Sequence, residues 1–292
     1  MNLLKAAAAV AAWGASFVAT KIVLRDLPPV ALIWARFALG IPLLGIIVLS
    51  RRQLRPIGAR DLGYFLLLGF LGITFHQWLQ SRALVTSQAT TTGWIIATTP
   101  LSIAILGTVF LRERLGAWGV AGILIAAFGV LLVVARGDLH SIVVGHFGAP
   151  GDVLILISTV NWAVFSVISR DGLKRHPAAR MMFYVMLLGW LLITLLFAAQ
   201  GGFQHTAWGA LSGRGLAALL FLGLICSGVA YVFWYDALEG LPASRVGAFL
   251  YLEPLVTVVV AALLLGESIR VGTMVGGAII LGGLWLVNRK RA

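Results

Sequence analysis

Charge is scarce in this sequence: 11% of its 292 residues are Asp, Glu, Lys or Arg, against 60% hydrophobic residues. Water-soluble domains carry about a quarter charged residues. So few charges cannot cover a soluble globule of this length, and a mean hydropathy of +1.00 fits a chain solvated by lipid. The single cysteine, Cys226, lies in an apolar run, which excludes a disulfide framework or a cysteine-rich metal site. Also missing are a G-x-x-x-x-G-K-[ST] phosphate loop, an H-E-x-x-H helix and a G-x-S-x-G elbow, while the five histidines are scattered. ATP hydrolysis, zinc chemistry and serine hydrolysis therefore have no signature, and no cofactor is called for. Acidic residues are outnumbered 10 to 22 by basic ones. The basic residues stand mostly at the ends of apolar segments, as membrane topology requires, which argues against a nucleic-acid partner.

What is present is length without polarity. Stretches such as Met186–Phe197 and Val256–Leu265 are broken only by Thr194 and Thr257. In lipid the backbone must satisfy its own hydrogen bonds, so spans are helices or closed barrels. A barrel strand would alternate polar and apolar residues, and these runs do not. A ruler of roughly 20 residues per span gives ten transmembrane helices: 3–22, 29–49, 61–81, 86–111, 116–135, 151–169, 179–199, 214–236, 242–265 and 270–288. Lys5 followed by Ala6–Ala12 has features of a secretory signal, but the apolar run continues to Thr20 and reads as a retained first helix. With both termini in the cytoplasm, 14 Lys and Arg fall on inside loops and 6 on outside loops, the bias that sets orientation. The expected class is all-α, polytopic and multi-pass in a bacterial inner membrane, with lipid as its first partner.

The chain also resembles itself. At a shift of 154, Gly69 falls on Gly223, Gly93 on Gly247, Pro100 on Pro254, Glu113 on Glu267, Gly122 on Gly276 and Gly129 on Gly283. At a shift of 149, Trp13 falls on Trp162, Lys21 on Arg170, Pro28 on Pro177 and Gly40 on Gly189. Two repeats are expected, 1–136 and 151–292, joined by a periplasmic linker at 137–150. Five spans per unit is an odd number, so the second unit enters the membrane the other way up. Inverted repeats enclose a midplane site that opens to each side in turn, which favours a transporter over a receptor or an enzyme.

Trp13-Gly14-Ala15-Ser16-Phe17, Arg36-Phe37, the stretch from Pro100 to Arg112-Glu113, and Leu252-Glu253-Pro254 running to Gly266-Glu267 resemble the EamA-type drug/metabolite transporter superfamily, and most of all its bacterial aromatic amino-acid exporters. The resemblance covers the whole chain. It implies a central cavity lined mainly by spans 1, 3, 4, 6, 8 and 9, with spans 5 and 10 at the periphery.

Polar groups in hydrocarbon are costly and mark function by default. His76 and Gln80, four apart on one helix face, with Gln77 between them, are candidates to bind a substrate amine or carboxylate; bonding to neighbouring helices is the alternative. Thr91 belongs to a hydroxyl-rich stretch from Thr86 to Thr92 whose other reading is helix packing. Ser16 and Ser166 add hydroxyls on spans one and six. Among the aromatics, Trp13, Trp78, Trp94, Trp162, Tyr231, Trp234, Tyr235 and Tyr251 fall on spans the resemblance places around the cavity. There they would hold an apolar side chain by stacking or an ammonium by cation–π attraction. The rival reading is an interfacial belt, which suits Trp118, Trp208 and Trp285 better. Glu253, ahead of Pro254, is the candidate proton or amine site, and Pro100 and Pro254 are candidate flex points. Arg36 is expected to be structural. Glu113 and Glu267 are expected to cap the helices that follow them or to pair with an arginine. Gly272 and Gly276 serve close helix contact, within the monomer or in a weak homodimer. The expected activity is alternating-access export of an amino acid or related metabolite. The alternatives are a different drug or metabolite class, or an intramembrane lipid-modifying enzyme.

Overall fold

The structure, a computed structural model, describes residues 2–110, 117–138, 148–241, 246 and 248–288. Expectations that fall on Arg112-Glu113-Arg114, on most of the 137–150 linker and on Gly247 lie outside the described residues. Every regular element described is helical. Among the described residues, seven helices are long and apolar enough to cross a membrane. They are α1 (Asn2–Val23), α2 (Pro29–Ser50), α3 (Ala59–Leu84), α6 (Ala117–Val134), α7 (Pro150–Arg175), α8 (Ala178–Ala199) and α9, which runs from Gly213 to Ala237 and on to Gly240. Shorter ones complete the bundle: α4 (Ala89–Ile96), α5 (Thr99–Phe110), α10 (Glu253–Leu265) and α11 (Val271–Asn288). Side chains such as Leu4, Leu263 and Val271 project from the outer surface, each at least 75% exposed. Such an apolar exterior suits lipid rather than water. The chain is a polytopic membrane protein.

Helix ends follow local chemistry. Pro29 stands in the first turn of α2, where a missing N–H costs nothing. Ser212 accepts a bond from Gly215 N at 3.0 Å at the start of α9, and Gly266, at φ +67°, ends α10 in the left-handed conformation that glycine adopts freely. The span expected at 86–111 is broken: α4 stops at Ile96 and α5 starts at Thr99. The ninth span is also discontinuous, a 3-10 turn at Ala248–Leu252 leading into α10. Pro100 and Pro254 therefore open helices, second residue in each, instead of flexing the middle of one. A proline there loses no intrahelical bond.

Two helices change pitch midway. In α3, Phe70–Phe75 winds as a π-helix, and in α9 so does Phe221–Val229. At the shift of 154 the first stretch falls within the second. A π stretch leaves carbonyls open to other donors. Leu71 O takes the Asn161 amide at 2.8 Å and Cys226 O takes the Trp13 indole at 3.1 Å.

Close backbone crossings surround these stretches. A methyl group at Gly69 would stand 2.7 Å from Gly189 N and from Val185 O. One at Gly40 would stand 2.8 Å from Gly223 O, and one at Gly223 3.0 Å from Arg36 O. Gly40 and Gly189, and likewise Arg36 and Val185, are related by the shift of 149, and Gly69 and Gly223 by the shift of 154; α2 crosses α9 through these residues as α8 crosses α3. Likewise α6 and α11 meet through Gly129 against Gly276 and through Gly283 against Gly122 O, two contacts that exchange under the shift of 154. Gly272 and Gly276 thus pack against Gly137 and Gly129 of the same chain.

Candidate functional site

A cavity of about 360 Å³ lies among α1, α2, α3, the end of α4, α5, α7, α8, α9 and the 3-10 turn with the start of α10. Neither α6 nor α11 contributes to its lining. Along α7 the lining runs from Trp162 to Leu173, roughly 16 Å at 1.5 Å per residue, toward the end of the bundle that carries Arg175.

One wall is polar because of the π stretch in α3. Phe70–Phe75 hands directly over to the helix His76–Leu84, and His76, Gln77 and Gln80 of that first turn all face the cavity. The Gln80 amide nitrogen lies 3.1 Å from His76 Nε2. With that nitrogen accepting, Nδ1 carries the proton and donates to Ser158 Oγ at 2.9 Å. These two bonds hold the imidazole in one orientation against the Trp162 ring at 4.6 Å. Gln77 Oε1 accepts from Arg36 Nη1 at 3.0 Å, and Ser227 Oγ accepts from Arg36 Nε at 2.8 Å.

Much of the remaining lining is aromatic. Trp13 stands edge-on to Tyr231 at 5.3 Å and tilted against Trp234 at 5.3 Å, with Tyr235 a further 6.4 Å from Tyr231. The bond from Trp13 to Cys226 O fixes its ring. Trp162 and Phe165, 4.7 Å apart, extend the apolar surface on α7. Glu253 closes the site at the head of α10, where Gly14 lets α1 approach its backbone carbonyl. Among the described residues no cation pairs with the Glu253 carboxyl, and no three His, Cys, Asp or Glu gather as a metal site.

Of the residues singled out from sequence, Trp13, Ser16, His76, Gln77 and Gln80 line this cavity, as do Trp162, Ser166, Tyr231, Tyr251 and Glu253. The hydroxyls of Ser16 and Ser166 are turned back on their own helices, bonding Trp13 O and Trp162 O at 2.7 Å. Thr91 and Trp94 lie elsewhere. Trp94 is 1% exposed and wedged on Gly277 of α11, and Thr91 is buried with it on the short helix α4. Of α4 only its last residue, Ile96, reaches the cavity, and the lining continues through Ala97 into α5. The rest of the hydroxyl run packs helices, Thr86 Oγ1 accepting from Gly151 N at 3.0 Å and Ser87 bonding the buried Asp152. Trp78 does not reach the cavity either.

Three features were not expected. Arg36 lines the cavity while only 6% exposed; an arginine inside a span was the available signal. Phe165 and Met182 also line it, with nothing in their local sequence to set them apart. Finally, Glu267 does not cap the helix that follows it. Its two carboxylate oxygens accept from Ala89 N at 2.8 Å and Thr90 N at 2.9 Å, capping α4, and Lys21 Nζ lies 3.6 Å away. A carboxylate at a helix N-terminus meets unsatisfied N–H groups and the positive end of the dipole.

The EamA-like transporter family model matches residues 1–135 and 149–289. An uncharacterized transporter of Archaeoglobus fulgidus is 31% identical over 283 residues, 96% of this chain and 94% of the relative. A probable terminal-alkyne amino-acid exporter of Streptantibioticus cattleyicolor is 30% identical, covering 96% and 91%. A solved crystal structure, at 22% identity, shares the fold with a TM-score of 0.68 over 98% of this chain and 96% of its own. These relatives are named as transporters and not as enzymes. The chain belongs to the EamA-like transporter family.

Proposed function

We propose that this protein is a secondary transporter that exports amino acids, aromatic or otherwise apolar, and related metabolites by alternating access. The observation that carries the reading is the division of one cavity into a polar wall of His76, Gln77 and Gln80 and an aromatic wall of Trp13, Tyr231 and Trp162. An amphipathic solute of amino-acid size needs both. Hydrogen bonds from the polar wall fix its polar end, and Tyr251 and the aromatic rings enclose its side chain. Ser16 and Ser166 serve by turning their hydroxyls from the backbone to the solute. Glu253 takes a proton or the substrate ammonium. The amino-acid export named for the Streptantibioticus relative supports the substrate class.

The mechanism rests on two inverted units, 1–136 and 151–292, joined by a linker on the outer side. The exchanged glycine crossings support this, as does a family match in two stretches. With the membrane orientation set by Lys and Arg, both termini lie in the cytoplasm of a cell whose inner membrane holds the protein. The cavity, which extends along α7 toward Arg175, then faces inward.

Uptake of labelled amino acids into protein-containing liposomes, with and without a pH gradient, tests the reading. Aromatic and apolar amino acids should cross unchanged. Glu253→Gln should abolish gradient-driven accumulation and leave exchange intact; undiminished accumulation in that variant would remove the coupling role. A panel in which no amino acid crosses would end the reading.

A further inference from the structure

Arg36 has a feature the functional reading does not use. It is the single Lys or Arg among the buried residues described, and it sits midway along the membrane-spanning helix α2. Among the half-buried cations, Lys5 and Arg51 share Asp236 at 2.7 and 2.6 Å and Lys21 is 3.6 Å from Glu267, while Arg180, near the membrane surface, bonds the carbonyls of Arg55 and Pro56. Arg36 has none among the described residues. Its bonds go to two neutral acceptors, Ser227 Oγ and Gln77 Oε1. These occupy Nε and one edge of Nη1. A guanidinium has five N–H donors, so Nη2 is left without a bond to any described residue, on a side chain that lines the cavity.

The fold does not require a cation at this place. The repeat mate of Arg36 is Val185. Both contribute the same backbone contact, Arg36 O against Gly223 and Val185 O against Gly69. Only the side chains differ. Val185 is fully buried among apolar neighbours, while Arg36 is turned into the cavity and its fork is held by α3 and α9. An unpaired charge held in an apolar interior is destabilising until a counter-charge arrives. A planar fork fixed by two side chains is preorganised for a carboxylate, which accepts two parallel N–H bonds.

Resting on the amino-acid reading above, we propose that Arg36 is the carboxylate anchor of the transported solute, binding it through the free edge of its guanidinium. The cavity then holds one positive group, Arg36, and one acidic group, Glu253. It selects solutes that carry a carboxylate, and prefers zwitterions to amines or neutral amides.

Binding to the purified protein in detergent, measured by titration calorimetry, tests this with phenylalanine, phenylalanine amide, phenethylamine and 3-phenylpropionate. Wild type should bind phenylalanine about 30-fold more tightly than either compound lacking the carboxylate, the size expected of a charge-assisted bond. In Arg36→Gln that preference should fall below about 3-fold, with phenylalanine weakened and phenethylamine little changed. Equal affinity of wild type for phenylalanine and its amide overturns the proposal without any variant, so a failure of Arg36→Gln to fold leaves it testable. A preference that survives in a folded Arg36→Gln also overturns it, while amino-acid transport stands. If wild type binds none of the four but carries an unrelated solute, the amino-acid reading fails and the anchor falls with it.

Discussion

An alanine at Gly69 would place a methyl carbon 2.7 Å from Gly189 N and from Val185 O. Both neighbours are backbone atoms, so no side chain can move aside. Ordinary contact requires the crossing of α3 over α8 to open by roughly 0.7–1 Å, a strain of the kind that overpacking puts at about 1–3 kcal/mol. Helix propensity works the other way, since alanine is favoured over glycine by up to about 1 kcal/mol. The net expected loss is up to about 2 kcal/mol. Gly63, on the same helix with nothing within 4 Å of its would-be methyl, carries only the propensity term and should gain up to about 1 kcal/mol on conversion to alanine. The repeat-related crossing supplies a second comparison. At Gly40 the methyl would meet Ser227 Cβ at 2.7 Å and Gly223 O at 2.8 Å, so Gly40→Ala should lose about as much as Gly69→Ala. Unfolding of the purified protein by SDS in mixed micelles measures all three. Gly69→Ala as stable as Gly63→Ala would refute the close crossing, and with it the reason for the paired glycines.

Other expectations follow from the site and its surroundings. Glu267→Ala removes two bonds to the start of α4 and the partner of Lys21, and should destabilise the protein by about 1–3 kcal/mol; Glu267→Gln, which retains one acceptor oxygen, should lose less, and unfolding midpoints decide. Trp94→Ala and Trp162→Ala should separate packing from binding. The first empties a buried site on α11 and should cost about 3–5 kcal/mol with solute affinity retained if the protein folds. The second should weaken affinity about tenfold, as expected for the loss of a stacking wall. Equal affinity losses in the two variants would place Trp94 at the solute after all.

Much of this was legible in the chain because lipid imposes strict rules. A run such as Met186–Phe197 has few ways to be anything but a span, while the glycine pairs at common shifts, read only as signs of a repeat, also lie at the close helix crossings. The His76–Gln80 pair was readable from helical spacing and from the rarity of such groups in hydrocarbon. The break after Ile96 has its signal in Pro100, which reads from sequence as a flex point within one span but stands second in a new helix, and Thr91 and Trp94 lie in the separate helix before it. The π stretches were silent, for their composition is that of any apolar helix. Arg36 was visible as an oddity, but its lack of a carboxylate partner depends on what α3 and α9 present to it, and sequence neighbours say nothing about that. The destination of Glu267 was hidden for the same reason, since its acceptors lie 177 and 178 residues away.

The wide turn at Phe70–Phe75 acts as a change of phase within one rod. Before it, the inward side of α3 is set by Phe65, Leu68 and Gly69; after it, by His76, Gln77 and Leu79. Each residue of an α-helix advances the azimuth by about 100°. Rewinding these six residues as an ordinary α-helix, without changing their number, would swing the downstream turn by about that angle and point its polar groups at hydrocarbon. The winding of this stretch therefore shapes the cavity wall as much as the side chains it aims.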